Sequence, residues 1–174
     1  MIATTYTLKD LTPLTVPEAD WLIGFLSAEG FRDEYFNGSP TCRRMVWYGK
    51  EIADYDKPFP TIREARAIHP FFDILRERYY PTADSILAYR YPRGGSISEH
   101  RDKGCERTVV MINLFDCPRD LLGEKRYFQD FRWGGNTYNL SDGAIIAFDS
   151  WVAHAAKPAP VPRYSITFRK TLGD

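Results

Sequence analysis

His100 and Asp102 stand two positions apart in the segment SISEHRDKG, and on a β-strand side chains at i and i+2 point to the same face. An imidazole and a carboxylate so placed can chelate a first-row divalent ion, and a second histidine completes the 2-His-1-carboxylate set that leaves positions open on iron. The chain has three histidines in all. His69 stands directly before Pro70 at a predicted helix start, which suits a surface or capping role. His154 follows the apolar run GAIIAF and is the better third ligand. Alone, an HxD pair is a weak signal, because the same two residues also make a surface ion pair.

A second constellation lies in RYSITFR near the C-terminal end. Strand alternation puts Arg163, Ser165, Thr167 and Arg169 on one face and Tyr164, Ile166 and Phe168 on the other. Six residues at ~3.3 Å each separate the two arginine backbones by roughly 20 Å, so two long side chains reaching toward each other can bracket a short dicarboxylate. Arginine suits this task because its planar fork meets a carboxylate bidentately. For an isolated strand the plainer reading is a pair of charges snorkelling at its two ends.

HRD, a later histidine, and an arginine nine residues on with serine two beyond it resemble the HxD…H…RxS pattern of 2-oxoglutarate dioxygenases, and most closely the AlkB family. That family's last strand reads R-x-N-L-T-F-R, against Arg163-Tyr164-Ser165-Ile166-Thr167-Phe168-Arg169 here. Its N-x-Y-x-P-G turn before the HxD is matched by Tyr89 to Gly95, and FQDFRWGG resembles its FQFGG strand. The similarity runs from about Arg43 to Lys170.

The resemblance implies Fe(II) on His100, Asp102 and His154, with 2-oxoglutarate and O2 as co-substrates. It implies that Arg163 meets the distal carboxylate of 2-oxoglutarate, Arg169 lies toward the chelating end, and Tyr91 hydrogen-bonds the co-substrate. Ser165 stands where the family has Asn and keeps one donor, whereas Tyr89 replaces another Asn and leaves that contact in doubt. The implied reaction couples decarboxylation to succinate with hydroxylation of a C–H bond. No separate general acid or base is implied, since the cofactor carries the hard chemistry.

In that family the usual substrate is an N-methylated nucleic-acid base flipped into the pocket and demethylated oxidatively, a repair chemistry. Arg43, Arg44, Trp47, Tyr48, Lys50 and Tyr55 interleave basic and aromatic residues where the family carries its nucleotide-covering lid. Trp47, Tyr48 and Tyr55 are therefore the candidate substrate contacts. The plainer reading of the segment is a hairpin whose aromatics pack on the barrel. Gly104 departs from the pattern, since the family commonly has an acidic residue two positions after the Asp of HxD. Asp130, Glu99 and Glu106 are the possible substitutes. Two substrate classes stay open: a nucleic-acid base, and a protein side chain or small metabolite. A non-catalytic jelly-roll binding domain fits poorly with an intact triad and two arginines.

The elements that must position these residues are legible in outline. Thr15 with Glu18 makes a capping box, Pro17 suits a first turn, Ala19, Leu22, Ile23 and Leu26 form a buried stripe, and Gly30 suits the stop. Phe72, Leu75 and Tyr79 predict a second helix from Pro70 that ends before Pro81. From Ser85 onward SILAYRY, TVVMINLF, KRYFQDFRW, GAIIAF and RYSITFR read as strands, separated by PRGG, CPRD, GGN and SDG. We read an α+β fold, a double-stranded β-helix (jelly-roll) core with N-terminal helices packed on one face. One domain spans 1–174, with a helical N-terminal segment over 1–84 and a jelly-roll core over 85–172.

The 174 residues suffice for a single core. The 23 basic and 23 acidic side chains cancel, so no global field recruits the chain to nucleic acid or membrane. Cys42, Cys105 and Cys117 are odd in number and lack CxxC spacing, which argues against a disulfide framework and fits a reducing cytoplasm. The N-terminus MIATTYTLKD has no signal-peptide pattern and no run approaches a membrane span. A soluble monomer is the expectation.

Overall fold

Residues 8–173 are described by the structure, a computed structural model; residues 1–7, and with them most of the stretch read above for a leader, lie outside the described residues. The elements in order are β1 (Lys9–Leu11), α1 (Val16–Ser27), β2 (Arg32–Phe36), β3 (Ser39–Ala53), β4 (Thr61–Glu64), α2 (Pro70–Tyr79), β5 (Ser85–Tyr91) and β6 (Ile97–His100). They continue with β7 (Thr108–Phe115), β8 (Gln129–Trp133), β9 (Asn136–Leu140), β10 (Ile145–Asp149), β11 (His154–Ala156) and β12 (Arg163–Arg169). No helix among the described residues is long and apolar enough to cross a membrane.

The Thr15 side chain caps α1 by accepting from the Glu18 N–H while the Glu18 carboxylate accepts from the Thr15 N–H, satisfying two otherwise orphaned donors. The helix stops at Ser27 with Ala28 as its cap, earlier than Gly30, because the Ala28 N–H turns back to the carbonyls of Phe25 and Leu26. His69 caps α2, its Nδ1 accepting from the Phe71 N–H.

Two antiparallel sheets face each other. The larger runs β1-β10-β7-β12-β5-β3-β2, with β4 paired to β3, and the smaller runs β6-β11-β8-β9. Alternation on the central strands divides the interior into two cores. Ile86, Ala88, Val110, Ile112, Tyr164, Ile166 and Phe168 join Leu22 and Leu26 of α1 and Phe72 and Leu75 of α2. Leu87, Tyr89, Tyr91, Val109 and Met111 instead meet Phe131 and Trp133 of the small sheet. All seven residues of β12 are buried, because the strand lies between β5 and β7 with a core on each face.

The segment 1–84 is less helical than its sequence suggested, since its described residues, from 8 on, carry four strands besides two helices. β2 and β3 form a hairpin through Asn37 and Gly38, both at positive φ, the conformation that favours an Asn-Gly pair in a tight hairpin turn. β3 then changes partner at Gly49. Up to that point it pairs with β5, and from Lys50 it pairs with β4. Gly49 has φ +73°, and a Cβ there would sit 2.5 Å from the Asp84 carbonyl oxygen, so only glycine permits the bend. The bend brings Tyr55 over the gap between the sheets.

Asp84 pins the far end of β12. Its carboxylate accepts from the Thr171 N–H at 2.8 Å and the Thr171 hydroxyl at 2.6 Å, and pairs with Lys170 and Lys50. Burial opposes the charged form, but these donors outweigh it and hold the Asp84 carboxyl at about 2. A depressed carboxyl contributes stability that is present above the unfolded value near ~3.9 and is lost as pH falls toward the folded value. After discounting for solvent screening the contribution is roughly 1–2 kcal/mol. Asp84→Asn should therefore flatten the fall in stability between pH 4 and pH 2 in acid denaturation; an unchanged slope would remove Asp84 as its source.

Candidate active site

The pairing of β6 with β11 sets His100 opposite His154, and their rings lie 4.3 Å apart, centroid to centroid. Asp102 follows as the chain leaves β6. Its position is fixed by the 149–151 turn: the Asp102 N–H donates to the Ser150 carbonyl at 2.9 Å, and the Ser150 hydroxyl donates to the Asp102 carbonyl at 3.0 Å. That turn is itself held by Asp149, which accepts from the Trp151 N–H and from Arg107.

The ligand atoms converge. His100 Nε2 lies 3.4 Å from Asp102 Oδ1, His154 Nε2 lies 3.5 Å from Asp102 Oδ2, and the three residues' ligand atoms all fall within 4.8 Å of one another. Each histidine has Nδ1 at 2.8 Å from the carbonyl two residues back, Ser98 and Val152 respectively. With Nδ1–H donated there, both Nε2 lone pairs are turned toward Asp102, the arrangement typical of metal-bound imidazoles. Burial and then the neighbouring His154 hold the His100 imidazole below its ordinary value although Asp102 opposes them, which favours the neutral form a metal requires.

Asp102 is 1 % exposed, and its Oδ1 has no hydrogen-bond partner among the described residues. Burial would raise its carboxyl; Arg169, with NH1 3.1 Å from Oδ2, and the two imidazoles outweigh that and keep it well below the carboxylate range. An ionised, buried carboxylate with one orphaned oxygen facing two imidazole nitrogens fits a divalent cation, and the N,N,O donor set suits Fe(II).

Tyr91, Arg163, Ser165 and Arg169 line the same cavity as the triad. Arg169 is already matched by Asp102, so the two arginines do not bracket an anion as equals. Arg163 is the one left over. It is 2 % exposed, no carboxylate pairs with it among the described residues, and its Nε lacks a partner. Its guanidinium stacks 3.8 Å from the centre of the Tyr91 ring. Burial, and then the charge of Arg43, press its pKa below the ordinary arginine value although Tyr91 opposes them; since guanidinium stays protonated, a bound anion would offset the cost of burying it.

The three aromatics proposed to contact substrate separate. Trp47, 4 % exposed, packs in the core between the sheets, and Tyr48, 2 % exposed, packs on the helix side with its hydroxyl on Glu29. Neither lines the cavity. Adjacent residues on a strand face opposite ways, and β3 is covered on both faces, so both rings are buried in different cores. Arg44 points outward to Asp33 and the Phe31 carbonyl. Tyr55 does line the cavity, as do Arg43 and Tyr89.

Gly104, where an acidic residue was looked for, donates its N–H to the Tyr55 carbonyl at 2.6 Å, and a Cβ there would meet the Tyr55 backbone at 2.7 Å. Backbone of the β3–β4 turn thus fills the space a side chain at 104 would need. Glu99, Glu106 and Asp130 are exposed and do not line the cavity.

Two buried residues escaped the sequence reading, Gln129 in the cavity wall and Glu34 beside the wall residue Arg43. Glu34 is an acidic residue at the middle of a strand, buried against Arg43; the Asn-Gly turn between them was the available signal. Gln129 spends its NH2 on the carbonyls of Asp130 and Lys157 and leaves Oε1 unpartnered in the cavity wall.

No protein-family model matches the sequence, and no curated protein matches it. Solved structures do match in fold. The structure of OsALKBH1 is similar with a TM-score of 0.64 at 16% identity, covering 94% of this chain and 97% of that one. A Pseudomonas putida prolyl-4-hydroxylase gives 0.62 at 14% identity, covering 97% and 94%. An oxidoreductase of the 2OG-Fe(II) oxygenase family from Burkholderia pseudomallei gives 0.61 at 10%, covering 93% and 84%. The chain has the fold of the 2-oxoglutarate/Fe(II) oxygenases, and within it carries a His-Asp-His cluster. These matches include both an AlkB homologue and a prolyl hydroxylase, so the fold does not single out an AlkB-like subgroup.

Proposed function

We propose that this chain is an Fe(II)- and 2-oxoglutarate-dependent dioxygenase that hydroxylates a small molecule or a protein side chain rather than a flipped nucleic-acid base. The observation that carries the enzyme class is one cavity holding the His100–Asp102–His154 cluster and, beside it, an unmatched buried Arg163. His100 and His154 would hold the metal through Nε2 and Asp102 through Oδ1. Arg163, with Tyr91 and Ser165, would bind the distal carboxylate of the co-substrate. When bound, Fe(II), 2-oxoglutarate and O2 supply the oxidation of a C–H bond to C–OH, with succinate and CO2 released.

The chain's own contribution is placement. Arg169 keeps Asp102 ionised and oriented, the two backbone carbonyls fix the imidazole tautomers, and Met111, Phe131 and Phe148 keep the cavity wall apolar. No residue is needed as a general base.

Three features favour the smaller substrate. Trp47 and Tyr48 are packed away from the cavity, backbone at Tyr55 occupies the place of a base-reading side chain at 104, and Arg132 alternates with the inward Phe131 and Trp133, which turns it to the outer face of the small sheet. The test is succinate formation from 2-oxoglutarate with Fe(II) across methylated oligonucleotides, peptides and small metabolites. Stimulation by a peptide or metabolite supports this reading. Stimulation by methylated oligonucleotides alone restores the base-demethylating one, and no turnover with any metal or substrate, together with no metal binding, removes the enzyme class.

A further inference from the structure

Arg43 is 4 % exposed and makes a bidentate pair with Glu34, Nε to Oε2 at 2.5 Å and NH2 to Oε1 at 2.9 Å. Glu34 also accepts from the hydroxyls of Thr41, Tyr55 and Tyr89, and the Tyr55 and Tyr89 hydroxyls contact each other. The guanidinium lies 3.7 Å over the Tyr89 ring. NH2 also donates to the Tyr55 hydroxyl at 2.8 Å, and NH1, on the other arm of the fork, donates to the Tyr91 hydroxyl oxygen at 2.8 Å.

A hydroxyl that accepts from a guanidinium must direct its own hydrogen elsewhere. Tyr91 has Arg163 stacked on its ring and borders the cavity, so that hydrogen is available to an acceptor bound in the cavity. Two buried guanidinium groups flank this one ring, and Glu34 neutralises only the first. The cavity therefore keeps one unmatched positive charge and one oriented O–H donor at the same end.

We infer that Arg43, held by Glu34, is a positioning residue: it fixes the Tyr91 hydroxyl as a donor to the carboxylate that Arg163 binds, and leaves that end of the cavity matched to a single negative charge. The inference rests on the co-substrate reading above. Arg43 itself does not touch the carboxylate; it acts through Tyr91.

The test is a double-mutant cycle read by calorimetric titration of 2-oxoglutarate into the Fe(II)-loaded protein without oxygen, so that binding is measured and not turnover. Tyr91→Phe and Arg43→Met should each weaken binding by about tenfold, the scale of one charge-assisted hydrogen bond, and the combined variant by about tenfold in total rather than a hundredfold. Because Arg43→Met strands the Glu34 carboxylate, the paired change Glu34→Gln with Arg43→Gln is a second route that removes both charges together, and it should behave the same way. Additive losses, or full affinity after removing Arg43 while Tyr91→Phe is impaired, would overturn the positioning role alone. No binding of 2-oxoglutarate by the unaltered protein would overturn the co-substrate reading and this inference with it.

Discussion

Asp102→Ala is expected to lose stability as well as turnover, whereas His100→Ala should lose turnover only. The difference comes from what each side chain leaves behind. Asp102 is buried against Arg169, itself 3 % exposed, and deleting the carboxylate strands a guanidinium whose remaining partners among the described residues are the neutral Thr167 hydroxyl, Cys105 sulfur and Tyr55 ring. Breaking a buried pair from one side costs ~3–5 kcal/mol. For a chain of this length that lowers the melting temperature by roughly 6–20 °C. His100 has a quarter of its side chain exposed and one bond to a backbone carbonyl, so its removal should change stability by about 1 kcal/mol or less. Thermal unfolding of the metal-free proteins separates the two, and equal melting temperatures for the wild type and Asp102→Ala would show that Arg169 does not depend on this carboxylate.

Arg163→Met is expected to do the reverse. In the absence of co-substrate the guanidinium is buried without an opposing charge, so an apolar side chain of similar length should leave the metal-free protein as stable as before or more so. The same change should raise the 2-oxoglutarate requirement by roughly 30- to 1,000-fold, since losing one partner of a buried charge pair costs ~2–4 kcal/mol. Arg163→Lys retains charge but not the fork and should fall between. Titration of 2-oxoglutarate alongside thermal unfolding measures both quantities on one sample. A destabilised protein with unchanged co-substrate dependence would make Arg163 a structural residue.

The sequence carried the metal cluster more clearly than the wall around it, for a physical reason. His100, Asp102 and the β12 alternation are local patterns, readable from i, i+2 spacing, and the scarcity of histidine narrowed the third ligand. Arg43 and Glu34 meet only across a hairpin, and Tyr55 reaches Gly104 only because β3 bends at Gly49. The lid reading of residues 43–55 overlooked the alternation that the plainer hairpin reading carries: on a strand Trp47 and Tyr48, or Arg43 and Arg44, cannot share a face. Gly104 told that a carboxylate was missing, but not that backbone had taken its space. The helices were legible through the capping box of Thr15 and the apolar spacing after Pro70, whereas β1 and β3 were not, because their partners, β10 and β5, lie far along the chain.

The central position of β12 also bears on how the molecule is made. Both of its neighbours, β5 and β7, precede it in the chain, so synthesis delivers both before β12 can join them. During that interval each presents an open edge of unpaired N–H and C=O groups along an apolar sequence, the kind of surface that recruits a neighbouring nascent chain. Insertion of β12 closes both edges in one event and brings Arg169 to Asp102 as it does so. Closure of the large sheet and the pairing of Asp102 with Arg169 are then one event.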